Sequence, residues 1–347
     1  MHDTASSALS TLNKYSRRTI AWNLSSRMIM AATGLLSRAF LYGFHNVETS
    51  GVKEFVSVLE RAKREGRGIL TIANHISVID DPLLWGLLPL RKMLNPADLR
   101  WGLGAENICF TTKVTSKFFS LGQVLPTWRF GTGPFQGAVD TAVFLVSPPP
   151  REIPKPYDPT KVFPPDNLHP QWIHIFPESL VHQAYAPHNT TMKYFHWGVS
   201  RVVLEPERLP IIVPIYHDGL QEIFPEDRVK LKYVPRTLIP RFRKKDRINL
   251  RFGFGEALDD DLFEAERQKW KSIAPEAYDS EDARALRSQV AAKLRESVIQ
   301  LRAKMGYPPE DDRFKDHKFW SGINEESGIK VAGKYGNSKV TVIEKEG

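Results

Sequence analysis

Cysteine is almost missing from this chain: Cys109 is alone among 347 residues. An intramolecular disulfide framework and a cysteine-rich zinc site are both excluded, which suits a compartment where no disulfide is needed. Long apolar runs are missing too. The best stretch, 20–44, carries Arg27 and Arg38, whereas a spanning helix needs roughly 20 residues with few charges. Several chemical signatures are absent: no Gly-x-Ser-x-Gly nucleophile elbow, no His-Glu-x-x-His zinc helix and no Gly-x-Gly-x-x-Gly loop, since Gly131 and Gly133 are followed by a glycine only at 137. Covalent serine or thiol catalysis is disfavoured, and Cys109 reads as a small buried residue. No internal repeat and no secretory cleavage pattern is evident.

Acidic residues are scarce at the N-terminus. Asp3 is the single one in the first 47 residues, against Lys14, Arg17, Arg18, Arg27 and Arg38. That balance resembles a mitochondrial transit segment and equally a basic membrane anchor. Over the whole chain, 48 basic residues against 40 acidic ones give a net charge of +8, which calls for an acidic partner. The excess sits in one stripe: 228–251 holds ten Lys/Arg and a single Asp. Nucleic-acid phosphate could use such a stripe, but no nucleic-acid-binding module accompanies it. An anionic membrane surface is the expected partner.

Composition is that of a folded protein, 41% hydrophobic and 25% charged. The 20–44 stretch forms an imperfect amphipathic helix. Arg27, Arg38, Asn23, Ser26, Gly34 and Ser37 share one side, with Met30 and Leu41 intruding, while Trp22, Leu24, Met28, Leu35, Leu36 and Phe40 occupy the other. This reads as a helix lying in a membrane surface or as one packed on the domain's own core. Helices are expected at 52–66, 83–93 (with Asp81 as N-cap and Pro82 as first residue), 113–121, 134–146, 193–204 and 280–305. Strands are expected at 68–73, 100–105, 171–176, 209–216 and 248–254, with an extended stretch at 122–126; Pro214 suggests a sheet edge or a strand end. The alternation predicts an α/β fold with a mostly parallel sheet flanked by helices. Three regions follow: a basic segment 1–47 with the membrane-surface helix, an α/β domain 48–305 and a loosely attached polar extension 306–347. A loop or insertion at 147–170 contains nine of the 25 prolines.

Functional groups gather beyond the carboxyl ends of parallel strands. Asn74-His75 and Pro177-Glu178 stand there. His75 and Asp80 are five apart, the wrong spacing for one helix face. Within a tight loop, however, a carboxylate reaches back to the imidazole, fixes its tautomer and leaves the other nitrogen free to take a proton from a hydroxyl. A metal site, or a capping Asp beside an incidental His, would use the same residues. Glu178 suits a hydroxyl, a cation or a solvated turn. Arg129 is either a fork for phosphate or a surface arginine.

Asn-His-x-x-x-x-Asp at 74–80, a Gly…Pro…Arg block at Gly122–Arg129, Phe-Pro-Glu at 176–178 and Val-Pro-Ile at 213–215, in this order and spacing, resemble the four blocks of the glycerolipid acyltransferase family. The longer strings 74–86, 108–111, 118–122 and 172–178 resemble its phospholipid–lysophospholipid transacylase branch. The resemblance covers about 20–300. It implies an acyltransferase with His75 as general base and Asp80 as its orienter. Asn74, Gly122, Arg129, Phe176, Pro177, Glu178 and Ser179 would bind substrate, with Arg129 and Glu178 on the glycerol-phosphate part. One departure is Ser179, where the family normally has the glycine of Phe-Pro-Glu-Gly; glycine there usually marks a left-handed or closely approached backbone.

The same resemblance implies acyl exchange between a phospholipid and a lysophospholipid without CoA, metal or other cofactor. It further implies remodelling of cardiolipin at mitochondrial membranes, peripherally and facing the intermembrane space. An acyl-CoA-dependent acyltransferase and a non-catalytic membrane scaffold are the other readings, and homo-oligomers stay open. Membrane contact is expected from Trp22, Leu24, Met28, Leu35, Leu36 and Phe40, with apolar support from 83–90 and 209–224.

Overall fold

The computed structural model describes residues 4–15, 20–94, 98–129, 133–148, 169–184, 186–225, 247–321 and 331–332. Most of the proline-rich stretch and most of the basic stripe lie outside them. In chain order the elements are α1 (Thr4–Tyr15), α2 (Ile20–Phe44), β1 (Asn46–Ser50), α3 (Val52–Glu65), β2 (Ile69–Ala73), α4 (Asp80–Trp85), α5 (Leu90–Met93), β3 (Trp101–Ala105), α6 (Glu106–Cys109), α7 (Lys113–Leu121), β4 (Val124–Thr127) and α8 (Gly137–Val146). There follow β5 (Trp172–Ile175), β6 (Gln183–Ala184), α9 (Gly198–Leu204), β7 (Ile211–Asp218), α10 (Leu220–Ile223), β8 (Asn249–Phe254), α11 (Glu264–Lys271), α12 (Glu281–Lys304), α13 (His317–Ser321) and β9 (Val331–Ala332).

Seven strands form one sheet in the order β1-β8-β7-β2-β5-β3-β4. All pairs are parallel except β7–β8, so the mostly parallel α/β architecture is present. The central strands β2 and β5 are buried throughout, as continuous apolar runs covered on both faces should be. Leu70 and Ile72 join one core with α8, α9 and α12, while Ile69 and Ala73 join the other with α2, α3 and α4. The twofold side-chain alternation of a strand makes this division.

Several expectations are corrected. Pro214 sits inside the sheet, with β7 between β2 and β8. Its carbonyl accepts from Gly255 N–H at 2.8 Å; proline returns no N–H, so the β7–β8 ladder ends at the Ile215–Phe254 pair. The expected 83–93 helix is two short ones, because Pro89 is extended and restarts the chain as the cap of α5. Asp81 is not the cap of α4. The helix begins at Asp80 with Ile79 as cap, and the Asp81 carboxylate pairs with Arg100. Helix α9 starts at Gly198 rather than at 193, because the backbone before it is committed elsewhere, as described below. The polar strand β1 escapes the apolar criteria since four of its five residues are exposed at the sheet edge.

Helix α2 spans 20–44 as expected, but its orientation is decided by packing. The side carrying Ser26, Met30, Gly34, Ser37 and Leu41 is turned inward. Ser26 donates to Leu121 O at 2.6 Å and Arg38 to Gly86 O at 3.2 Å. A Cβ at Gly86 would stand 2.8 Å from the Arg38 amide nitrogen, so glycine permits this close crossing. Leu24, Met28, Leu35 and Leu36 are exposed, Met28 by 66% and Leu36 by 71%. Trp22 and Phe40 depart from the expected outward row: both are half-buried, Trp22 stacking near-parallel on Trp101 and Phe40 meeting His45 edge-on. Stretches 83–88 and 211–216 belong to the core and offer no surface. No described helix is long and apolar enough to cross a membrane. Arg247 and Arg251, the described end of the basic stripe, are held by Gly43 O and by the Glu48 carboxylate.

Both ends of the described chain are built in. In α1, Ala8 and Leu12 are fully buried, and Ser7 donates to the Asp140 carboxylate. Asp140 also pairs at 2.7 Å with Arg201, whose side chain is completely buried. In the described part of the extension, 306–321, the chain is packed rather than loosely attached: Phe314 and Trp320 are buried with Leu180, Ala184 and Tyr194 around them. Asp140→Ala leaves Arg201 under-compensated in the interior, and a loss of about 3 kcal/mol is expected. Urea unfolding monitored by tryptophan fluorescence checks it; an unchanged midpoint would show that Glu205 suffices for Arg201.

Candidate active site

The stretch 74–79 leaves β2 at the carboxyl end of the sheet, and its polar groups are fixed one by one. Asn74 Nδ2 donates to His217 O at 2.8 Å, and Asn74 Oδ1 accepts from His217 N at 3.0 Å. His217 Nε2 donates to Asn74 O at 2.9 Å. His75 N–H donates to Glu178 Oε1 at 2.8 Å, and His75 O accepts from His182 N–H at 2.7 Å. Gln183 Nε2 donates to Ile76 O at 2.7 Å.

Asp80 Oδ2 is the hub. It accepts from Ile76 N at 2.7 Å, from Ser77 N at 2.9 Å and from His75 Nδ1 at 2.9 Å. The Asp80 side chain is fully buried and that of His75 is 21% exposed. With Nδ1–H donating to this carboxylate, Nε2 is left as the acceptor. The ring lies on Phe176, centroids 4.5 Å apart and planes at 22°.

His75 opens on a cavity of about 940 Å³ whose other walls include Leu103, Ile108, Phe119, Val139 and Phe195. Large and chiefly apolar, it suits a ligand with hydrocarbon parts. Arg129, Phe176, Pro177 and Ser179 line it as well. Ser179 has φ of +64°, so the left-handed backbone that a glycine would favour is adopted here by serine.

Asn74, Gly122 and Glu178, expected to hold substrate, do not line the cavity. Asn74 spends its amide on His217. Gly122 ends α7 and gives its carbonyl to Arg100 at 2.7 Å. Glu178 is fully buried, and its second oxygen accepts from Lys193 N–H at 2.7 Å. Asn74 and Glu178 shape the loop instead.

Burial sets the charge states around the loop. It pushes the Glu178 carboxyl up to about 8, against the pull of the Lys193 and His75 amides and of the Arg295 and Lys193 charges. Burial lowers His174 and His182 to about 3 and His196 to about 4, and it lowers His217 too, so these imidazoles stay neutral. Burial raises the Cys109 thiol to about 11, leaving it protonated and a poor nucleophile. Among the described residues no group of three His, Cys, Asp or Glu side chains could hold a metal ion.

Residue-by-residue reading missed His217, His182, Gln183 and Lys193. His217 closes β7 and so obeys the strand-end rule that singled out His75. His182 and Lys193 act through their backbone N–H groups, and Gln183 through a side-chain amide on a loop carbonyl, contacts for which a sequence carries no signal.

An acyltransferase family model matches residues 53–218, the span that contains this loop and both strands that clamp it. The class is therefore that of an acyltransferase. The chain is 36% identical to tafazzin of Saccharomyces cerevisiae over 93% of its own length and 91% of the yeast protein. It is also 36% identical to a Dictyostelium discoideum tafazzin over 58% of this chain and 62% of that one. It is 29% identical to an N-acylphosphatidylethanolamine synthase of Arabidopsis thaliana over 53% of each chain. The chain belongs to the tafazzin family of glycerolipid acyltransferases.

The raised Glu178 has a thermodynamic consequence. Between the ordinary carboxylate value and about 8, the folded protein holds a proton that the unfolded chain has released. Stability then falls as pH rises through that window, by at most about 1.4 kcal/mol per pH unit. Thermal melts of the wild type should decline from about pH 5 to about pH 8, and the decline should flatten in Glu178→Gln; equal slopes would assign it to other groups.

Proposed function

We propose that this protein is a CoA-independent transacylase that moves an acyl chain between a phospholipid and a lysophospholipid, cardiolipin among its substrates. The observation that carries the reading is the Asp80-oriented His75, partly exposed on a cavity with apolar walls, in a chain of the tafazzin family. His75 Nε2 removes the proton from the free hydroxyl of the lysophospholipid, and that oxygen attacks the acyl carbonyl of the donor. The tetrahedral intermediate expels the donor's glycerol oxygen, which takes the proton back from His75. One ester bond forms and one breaks, so the exchange needs no external energy source. Asp80 steadies the imidazolium between the two proton transfers. Arg129, on the cavity wall, would pair with a lipid phosphate.

Substrates of this kind stay in a bilayer. Exposed apolar side chains surround the cavity: Val78, Ile108 and Trp128 belong to its lining and are each more than half exposed. Val114 and Phe118 of α7 are exposed as well, and α7 packs beside α2 with its outward Leu24 and Met28. This face supports peripheral binding of the mouth to lipid, at a mitochondrial membrane facing the intermembrane space. The basic 228–251 stripe would add attraction to anionic headgroups.

Acyl exchange between labelled phospholipid and lysophospholipid in CoA-free vesicles tests the reaction. Wild type should exchange, and His75→Ala should lose at least about a hundredfold while keeping its fold and its vesicle binding. A strict requirement for acyl-CoA would instead support the CoA-dependent reading, and full activity of His75→Ala would end both. For the membrane face, the double variant Met28→Glu/Leu36→Glu should lower vesicle binding by at least about tenfold. Co-sedimentation measures it, and unchanged binding would place the contact elsewhere.

A further inference from the structure

Residues 186–197 run beside the His75 loop largely without a strand partner, although Thr191, Met192 and Lys193 are buried. Buried backbone groups need partners, and here side chains from distant parts of the chain provide them. Met192 N–H donates to Glu310 Oε1 at 2.7 Å. Met192 O and Lys193 O accept from Arg295 at 2.7 Å and 2.9 Å. Lys193 N–H donates to Glu178, whose other oxygen holds His75 N–H. Glu310 and Arg295 also pair directly, each side chain being 7% exposed.

A second route runs in parallel. His182 N–H holds His75 O, and the His182 ring is met edge-on at 4.8 Å by the buried Trp320. Trp320 is fixed in turn by its indole N–H on Phe314 O. The carbonyl of His75 thus reaches the stretch after α12 through His182, and its amide reaches it through Glu178, Lys193 and Met192.

We propose that residues 306–321 are a positioning element of the reaction centre, acting through Glu310–Arg295 and through Trp320 to hold the His75 backbone. This rests on the transacylase reading for its kinetics but not for its geometry. Glu310, Arg295 and Trp320 touch no reacting atom; they are positioning residues. They also lie beyond the 53–218 span matched by the acyltransferase family model, so that span alone does not contain everything that fixes the imidazole. The coupling is stiff because one guanidinium and two carboxylates each grip two points. Releasing Met192 lets Lys193 shift, and Glu178 carries that shift to His75 N–H. A displacement of the order of 1 Å at a general base can cost about a hundredfold in rate.

The test uses the full chain, with CoA-free exchange kinetics and hydrogen–deuterium exchange of peptides covering 74–80 and 190–197. Glu310→Ala should lower kcat per folded molecule by about thirtyfold, with KM for both lipids within about twofold. Amide exchange in the 74–80 peptide should rise at least about tenfold while the β2 and β5 peptides stay protected. Glu310→Gln, which keeps an acceptor for Met192 N–H, should recover at least about threefold in kcat over the alanine variant.

Should Glu310→Ala fail to fold, Arg295→Lys keeps the charge but loses the fork, and it should show the same two effects at smaller size. Wild-type kcat in the folded alanine variant overturns the proposal. So does unchanged exchange at 74–80, or a rate loss that only tracks the unfolded fraction. If wild type shows no acyl exchange at all, the transacylase reading falls, while the 74–80 exchange comparison still decides whether this segment positions His75.

Discussion

One carboxylate oxygen organises this candidate site. Asp80 Oδ2 accepts from the His75 ring and from two successive backbone amides. It folds the stretch after β2 back on itself and fixes the imidazole tautomer in the same act. Hydrogen bonds to a charged group contribute about 1.5–3 kcal/mol each. The arrangement works because the oxygen is buried and its donors belong to adjacent residues: the histidine cannot turn without breaking the turn that carries it.

The rest of the site prevents that turn from drifting. His217 and Asn74 lock β7 to β2, Glu178 takes the His75 amide, and His182 takes its carbonyl. Most of these supports are neutral imidazoles or backbone groups, and Glu178 is itself driven toward the protonated form by burial. A quiet surrounding of this kind suits the proton-transfer role proposed for His75, which meets both a carboxylate and the cavity. Catalysis by a general base depends on such preorganisation more than on the number of contacts.

The molecule divides its labour between the two sides of the sheet. One core carries α8, α9 and α12, with the N-terminal helix α1 sealed against it by the Asp140–Arg201 pair. The other core carries α2, whose inward side combines Ser26, Gly34 and Ser37 with Met30 and Leu41 and leaves Leu24, Met28, Leu35 and Leu36 exposed. An α2 that buries two serines and a glycine while three leucines and a methionine stay exposed departs from the usual distribution for a water-soluble surface. That exposed apolar row is the physical argument for the proposed contact with a lipid surface.

Much was determined by the sequence alone. Alternating strands and helices implied a mostly parallel sheet, the spans of α3, α7 and α12 were legible to within a residue, and His75 and Asp80 stood out because local spacing lets one reach the other. Spacing says nothing about groups that meet from 100 residues away. The tertiary structure alone decided that Asn74, Gly122 and Glu178 face the scaffold rather than the cavity, that Pro214 ends a ladder inside the sheet, that Trp22 and Phe40 turn toward the protein, and that residues 306–321 are packed. Each of these turns on burial and on backbone partners. Side-chain type fixes what an atom can bond to, but only the packed chain fixes which partner arrives.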